Sequence, residues 1–159
     1  MRALRAGLLV VLMLSGCSSP FERMWQGMGV CEFEDLYIDP STGEPASNEL
    51  AHYRPWKVEE GLAWYRVSEN YHGIPVSGFV VPASTFDVHL LFIPLPLDEA
   101  RREFVHYFGT DYSDVRPYRD GSAPLLTRNQ GDLHTSVLDC TREESDDEEA
   151  RIPDVISDQ

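Results

Sequence analysis

Lysine is nearly missing from this chain: Lys57 is the only one. Thirteen basic residues face 27 acidic ones across 159 residues, a formal charge of −14. Nucleic-acid binding by counterion release depends on Lys and Arg, so that partner class is excluded. The same imbalance repels the chain from anionic headgroups and draws it toward basic partners or cations. Long apolar runs are also lacking. A membrane span needs about 20 consecutive apolar residues, and the run Gly7-Leu8-Leu9-Val10-Val11-Leu12-Met13 falls short. Histidines are few and scattered (His52, His72, His89, His106, His134), with no His-x-x-x-His pair, so a zinc site is not expected. There is no Gly-x-Ser-x-Gly elbow, no Gly-rich phosphate loop, no cofactor motif and no internal repeat.

What is present begins with an address. Arg2 and Arg5 precede the short apolar run, and Leu14-Ser15-Gly16-Cys17 closes it. A positive start, a short apolar middle and small residues before the cut describe a secretory signal. The four closing residues resemble the lipobox of bacterial lipoproteins without departure. That resemblance implies a diacylglycerol on the Cys17 thiol, cleavage after Gly16 and acylation of the new N-terminus. Each buried CH₂ contributes about 0.8 kcal/mol, so two or three acyl chains anchor stably. Ser18, where Asp would favour inner-membrane retention in Gram-negative lipoproteins, implies an outer-membrane anchor facing the periplasm.

The expected organisation is a signal over 1–16, a lipid-anchored tether over 17–29, one globular domain over 30–140 and a disordered acidic tail over 141–159. Phe21, Met24 and Trp25 would also suit one apolar stripe of a short helix lying on headgroups or on the domain. Residues 143–149 read Glu-Glu-Ser-Asp-Asp-Glu-Glu, a block that repels itself. Loss of Arg2 and Arg5 with the signal takes the formal charge from −14 to −16. The stretch from Cys31 to Cys140 carries eighteen acids against eight bases, so the body is acidic as well as the tail. With Cys17 committed to lipid, Cys31 and Cys140 remain as an even pair in an oxidising compartment, and a disulfide is expected between them. It would tie the first strand to the last.

Periodicity predicts strands over 30–38, 61–68, 74–81 and 85–93, and a terminal hairpin over 125–128 and 133–140. Gly78 suggests a bulge. Over 85–93 Phe86, Val88, Leu90 and Phe92 alternate on one face, Leu91 and Ile93 add apolar weight to the other, and such a strand is expected to be central. Asp39-Pro40-Ser41-Thr42-Gly43 is a turn signal. Residues 97–108 switch to helical period, with Asp98 and Glu99 at the positive end of the dipole and Gly109 past the end. The fold class expected is α+β, a mainly antiparallel sheet of about six short strands with one clear helix, disulfide-tied.

Chemistry-bearing groups are sparse. Ser77, Asp87 and His89 are the residue types of a hydrolase, on neighbouring strands. Asp111, Ser113, Asp114 and Asp120 share a loop that would offer carboxylates to calcium, without the order of an EF-hand. Tyr112, Arg116, Tyr118 and Arg119 suit a recognition patch, since loop Tyr and Arg are common at interfaces. No catalytic or metal residue is assigned on this basis. The expected function is a non-catalytic lipoprotein that binds a protein or envelope partner, such as an immunity-type inhibitor of a periplasmic toxin. The alternatives are an accessory lipoprotein of an envelope or transport assembly, or a periplasmic hydrolase.

Overall fold

Six antiparallel strands form one sheet with the order β1-β2-β3-β4-β8-β7: β1 Lys57–Glu59, β2 Leu62–Tyr71, β3 Ile74–Pro82, β4 Leu90–Ile93, β7 Leu125–Arg128 and β8 Ser136–Asp139. Helix α1 spans Pro20–Met24 and helix α2 spans Leu97–Phe108. A separate two-stranded pair joins β5 Pro117–Tyr118 to β6 Gly121–Ser122. The computed structural model describes residues 18–113, 117–118 and 121–141. Cys17 and the tail beyond Thr141 lie outside them. The architecture is α+β with mostly sheet, and Cys31 and Cys140 are joined.

The β2–β3 hairpin follows the alternation in the sequence. Ala63 and Tyr65 are buried on the core face, while Leu62, Trp64 and Arg66 point to the other. The bulge lies in β2, between Arg66 and Glu69, and not at Gly78. Gly78 is instead a close-approach position, where a Cβ would sit 2.6 Å from the Tyr65 carbonyl oxygen. Helix α2 matches its predicted bounds. It buries Ala100 and Phe104 and stops at Gly109 in the left-handed conformation.

The segment read as a tether is part of the core. Phe21 and Trp25 are 1% and 0% exposed, and Met28 is buried beside them. Ser19 and Glu22 form a capping box: the Ser19 N–H donates to Glu22 Oε2 (2.9 Å) and the Glu22 N–H to Ser19 Oγ (3.0 Å). This one-and-a-half-turn helix lays Phe21 and Trp25 against Phe79 at centroid distances of 6.0 and 5.6 Å. Three large apolar side chains at helical spacing gain more from the sheet face than from water, roughly 1.5–3 kcal/mol each. Gly27 permits the turn that follows, since a Cβ there would overlap the Glu32 carbonyl.

Three predicted strands are shorter or absent. Residues 30–38 form no strand. Met28–Val30 is a 3₁₀ turn, Cys31 and Asp35 take positive φ (52° and 55°), and pairing is limited to a bridge between Ile38 and Pro45. The disulfide therefore ties a 3₁₀ turn, not a first strand, to the end of β8. In the 85–93 segment the strand is Leu90–Ile93, between β3 and β8, a central place as expected, and Asp87 forms an isolated bridge before it. Its core face carries Leu91 and Ile93, both 0% exposed, and Phe86 is 62% exposed. Of the two apolar faces, register with β3 and β8 turned that of Leu91 and Ile93 to the core. The last strand is likewise trimmed to Ser136–Asp139, leaving Leu133 exposed.

Candidate functional site

Two chain segments that carry acids but no Lys or Arg meet beside the sheet. The first is the loop over 31–45, with Glu32, Glu34, Asp35, Asp39 and Glu44; the second is 82–89, with Asp87. Between them lies a cleft of about 290 Å³ lined by Phe33, Leu36, Tyr37, Pro40, Pro82, Ser84, Phe86, Asp87 and His89. Its walls are aromatic and proline-rich. Tyr37 and Phe86 are 39% and 62% exposed, so their rings are available at the mouth.

The loop is irregular but fixed at several points. Cys31 is bonded to Cys140, and the Ile38 N–H donates to the Pro82 carbonyl at 2.8 Å. Asp39 forms the predicted turn: its Oδ1 accepts from the Ser41 hydroxyl (2.6 Å) and N–H (2.7 Å). Those bonds, the hydroxyl first, hold the Asp39 carboxyl below its ordinary range and keep it charged. His89 is the central tie. Its Nε2 lies 2.9 Å from the Leu36 carbonyl oxygen, its ring stacks on Phe33 at 4.1 Å, and its own carbonyl accepts from the Cys140 N–H at 2.9 Å.

The geometry also states what His89 does not face. A carbonyl only accepts, so Nε2 carries a proton and donates it to the main chain. Nδ1 lies 3.1 Å from Asp87 Oδ1, an ion pair whenever the ring holds both protons. Ser77 is elsewhere, exposed on β3, with its hydroxyl donating to the Phe92 carbonyl at 3.4 Å. The Ser77, Asp87 and His89 set is thus split, with Asp87 and His89 together and Ser77 apart. Ser84, in the cleft, accepts from the Phe86 N–H at 3.2 Å.

No family model matches the chain, and neither a curated protein nor a solved structure matches it.

The remaining sequence candidates are placed as follows. Asp111 Oδ1 accepts from the Ser113 hydroxyl (2.7 Å) and N–H (3.1 Å), which lower its pKa, the hydroxyl most. Asp114 and Asp120 lie outside the described residues, as do Arg116 and Arg119. Among the described residues no three His, Cys, Asp or Glu side chains converge as a metal requires. Tyr112 is half-buried against Phe104 and Phe108, with ring distances of 5.5 and 6.4 Å, and burial raises its phenol pKa. It is a packing residue more than a contact residue. Tyr118 lies in β5, where only the backbone is described.

A second apolar surface appears on the sheet face turned away from the helices. Trp64 stacks on Phe92 at 6.1 Å there, and Leu62, Leu90 and Val137 share the face, each partly exposed. At its margin the Arg66 guanidinium lies 4.1 Å over the half-exposed Trp56 ring. An antiparallel sheet with one solvated face ordinarily turns polar residues outward, and here the apolar side chains are interleaved with Lys57, Glu59, Arg66, Thr127 and Asp139 on that face.

Proposed function

We propose that this chain is a membrane-anchored lipoprotein that faces the periplasm and binds a basic protein partner without catalysing a reaction. An immunity-type inhibitor of a periplasmic toxin is the concrete form of this reading. The observation that carries it is the aromatic-walled cleft flanked by acids. Exposed aromatic side chains in a fixed concave setting are the usual anchors of protein interfaces, and the surrounding charge selects a basic counterpart and speeds its approach. The lipobox resemblance supports the compartment, and the disulfide suits it. The direction of His89 Nε2 supports a binding role, because a general base must reach the proton it removes.

The test is affinity capture from envelope extract, comparing the native sequence with a Tyr37→Ala/Phe86→Ala double variant. Both side chains are exposed, so the fold should persist. The reading expects one basic protein held by the native sequence, lost from the variant and released as salt rises. A captured protein indifferent to both changes places the interface elsewhere and removes this site.

One observation favours a second reading, the accessory subunit of an envelope assembly. The outer sheet face around Trp64 and Phe92 is a further apolar surface, and a protein with two such surfaces can bridge two partners. Under that reading Trp64→Ala would release a captured component that the cleft variant retains.

A further inference from the structure

We propose that the cleft takes an arginine side chain of the partner, in preference to lysine. This rests on the reading of a basic protein partner and narrows it to one side chain. The volume, about 290 Å³, lies at the low end of small-molecule pockets, which run roughly 300–1,000 Å³, and suits one long side chain. Its mouth offers the rings of Tyr37 and Phe86, both exposed. A guanidinium is planar and weakly hydrated, so it lies flat on such rings, whereas an ammonium holds its water. This chain already makes that contact once, where Arg66 covers Trp56 at 4.1 Å. Glu34 and Asp35 are exposed and lie in sequence between the lining residues Phe33 and Leu36, and a carboxylate takes the fork of a guanidinium at two oxygens. The segments that build the cleft contain no Lys or Arg of their own to fill it.

The acidic tail would attract any polycation, so bulk affinity does not discriminate. The discriminating readout is the aromatic side-chain NMR signals of Tyr37 and Phe86 in the full chain, held in detergent micelles. Tetra-arginine, tetra-lysine and tetra-citrulline are titrated in turn, the last keeping the shape of arginine without its charge. The expected result is saturable shifts at both rings with tetra-arginine, at least fivefold weaker affinity with tetra-lysine and none with citrulline. Phe86→Ala should abolish the saturable shift at Tyr37. Equal response to lysine and arginine overturns the arginine preference while leaving a basic partner in place. No shift at either ring with any peptide overturns the inference outright, and the capture experiment then decides separately whether the cleft binds a protein.

Discussion

Glu22 joins two parts of the chain through one carboxylate. Its Oε2 accepts from the Ser19 N–H, and its Oε1 accepts from the His72 N–H at 3.1 Å, linking α1 to the β2–β3 turn. These bonds, the Ser19 one most, lower its pKa below the ordinary 4.5 although partial burial opposes them. A depressed carboxyl stabilises the fold fully above the ordinary value and loses that contribution as pH falls through the folded value. Glu22→Gln should therefore be less stable than the native sequence at pH 7, and the gap should narrow below pH 4.5 in denaturant melts. A gap of constant size across that range would mean the charge is not what matters. Ser19→Ala, which removes the cap itself, should cost about 0.5–2 kcal/mol. Trp25 is the other informative residue. It is 0% exposed, and its Nε1 meets no hydrogen-bond partner among the described residues. Trp25→Ala should lose roughly 3–5 kcal/mol by urea unfolding. Trp25→Phe should lose clearly less, because the ring is kept and an unsatisfied donor is removed.

The elements differ in how they are specified, and that decides how readable each was. Helix α2 and the β2–β3 hairpin have a clear period and a stop at Gly109, and they stand where the pattern puts them. Helix α1 is five residues long and follows residues that only resemble a lipobox, so Phe21, Met24 and Trp25 read as incidental to a tether. Rings distant in sequence make them core: Phe79 and Tyr53 against Phe21, and Phe79 and His89 against Trp25. The core face of β4 was not legible for a related reason. Both faces of 85–93 are apolar, and the partners β3 and β8 chose between them. The cleft was least legible. Glu32, Phe33, Glu34, Asp35, Leu36 and Tyr37 alternate loosely and read as a strand, yet Cys31 and Asp35 break the backbone into positive φ. What hint existed was the interleaving of acids with exposed aromatics.

That loop depends on its ties. The Cys31–Cys140 bond spans a separation of 109 residues. On the chain-entropy model a loop of that order contributes about 4–5 kcal/mol. A Cys31→Ser/Cys140→Ser variant should show a loss of that size in its unfolding free energy from denaturant melts. Proteolysis should also open the 31–45 loop before the sheet, since the bond and His89 together hold it. Uniform protection of loop and sheet in the variant would show that His89 alone suffices.

For the molecule as a whole, the proposed compartment determines the rest of the account. An acidic body with a disulfide, and the proposed use of its cleft for a basic partner, fit a setting that is oxidising and open to foreign or envelope proteins. Tethering would hold that body at a surface whose own anionic headgroups repel it, leaving the cleft presented to the surrounding space. All of this follows if position 17 carries lipid. The most direct measurement is the intact mass and membrane partition of the chain expressed with its own leader, beside Cys17→Ser. The account predicts a native product shortened by residues 1–16, heavier by its acyl chains and confined to the membrane fraction, with the serine variant uncut and free of lipid. Identical masses and identical partition for the two would contradict it.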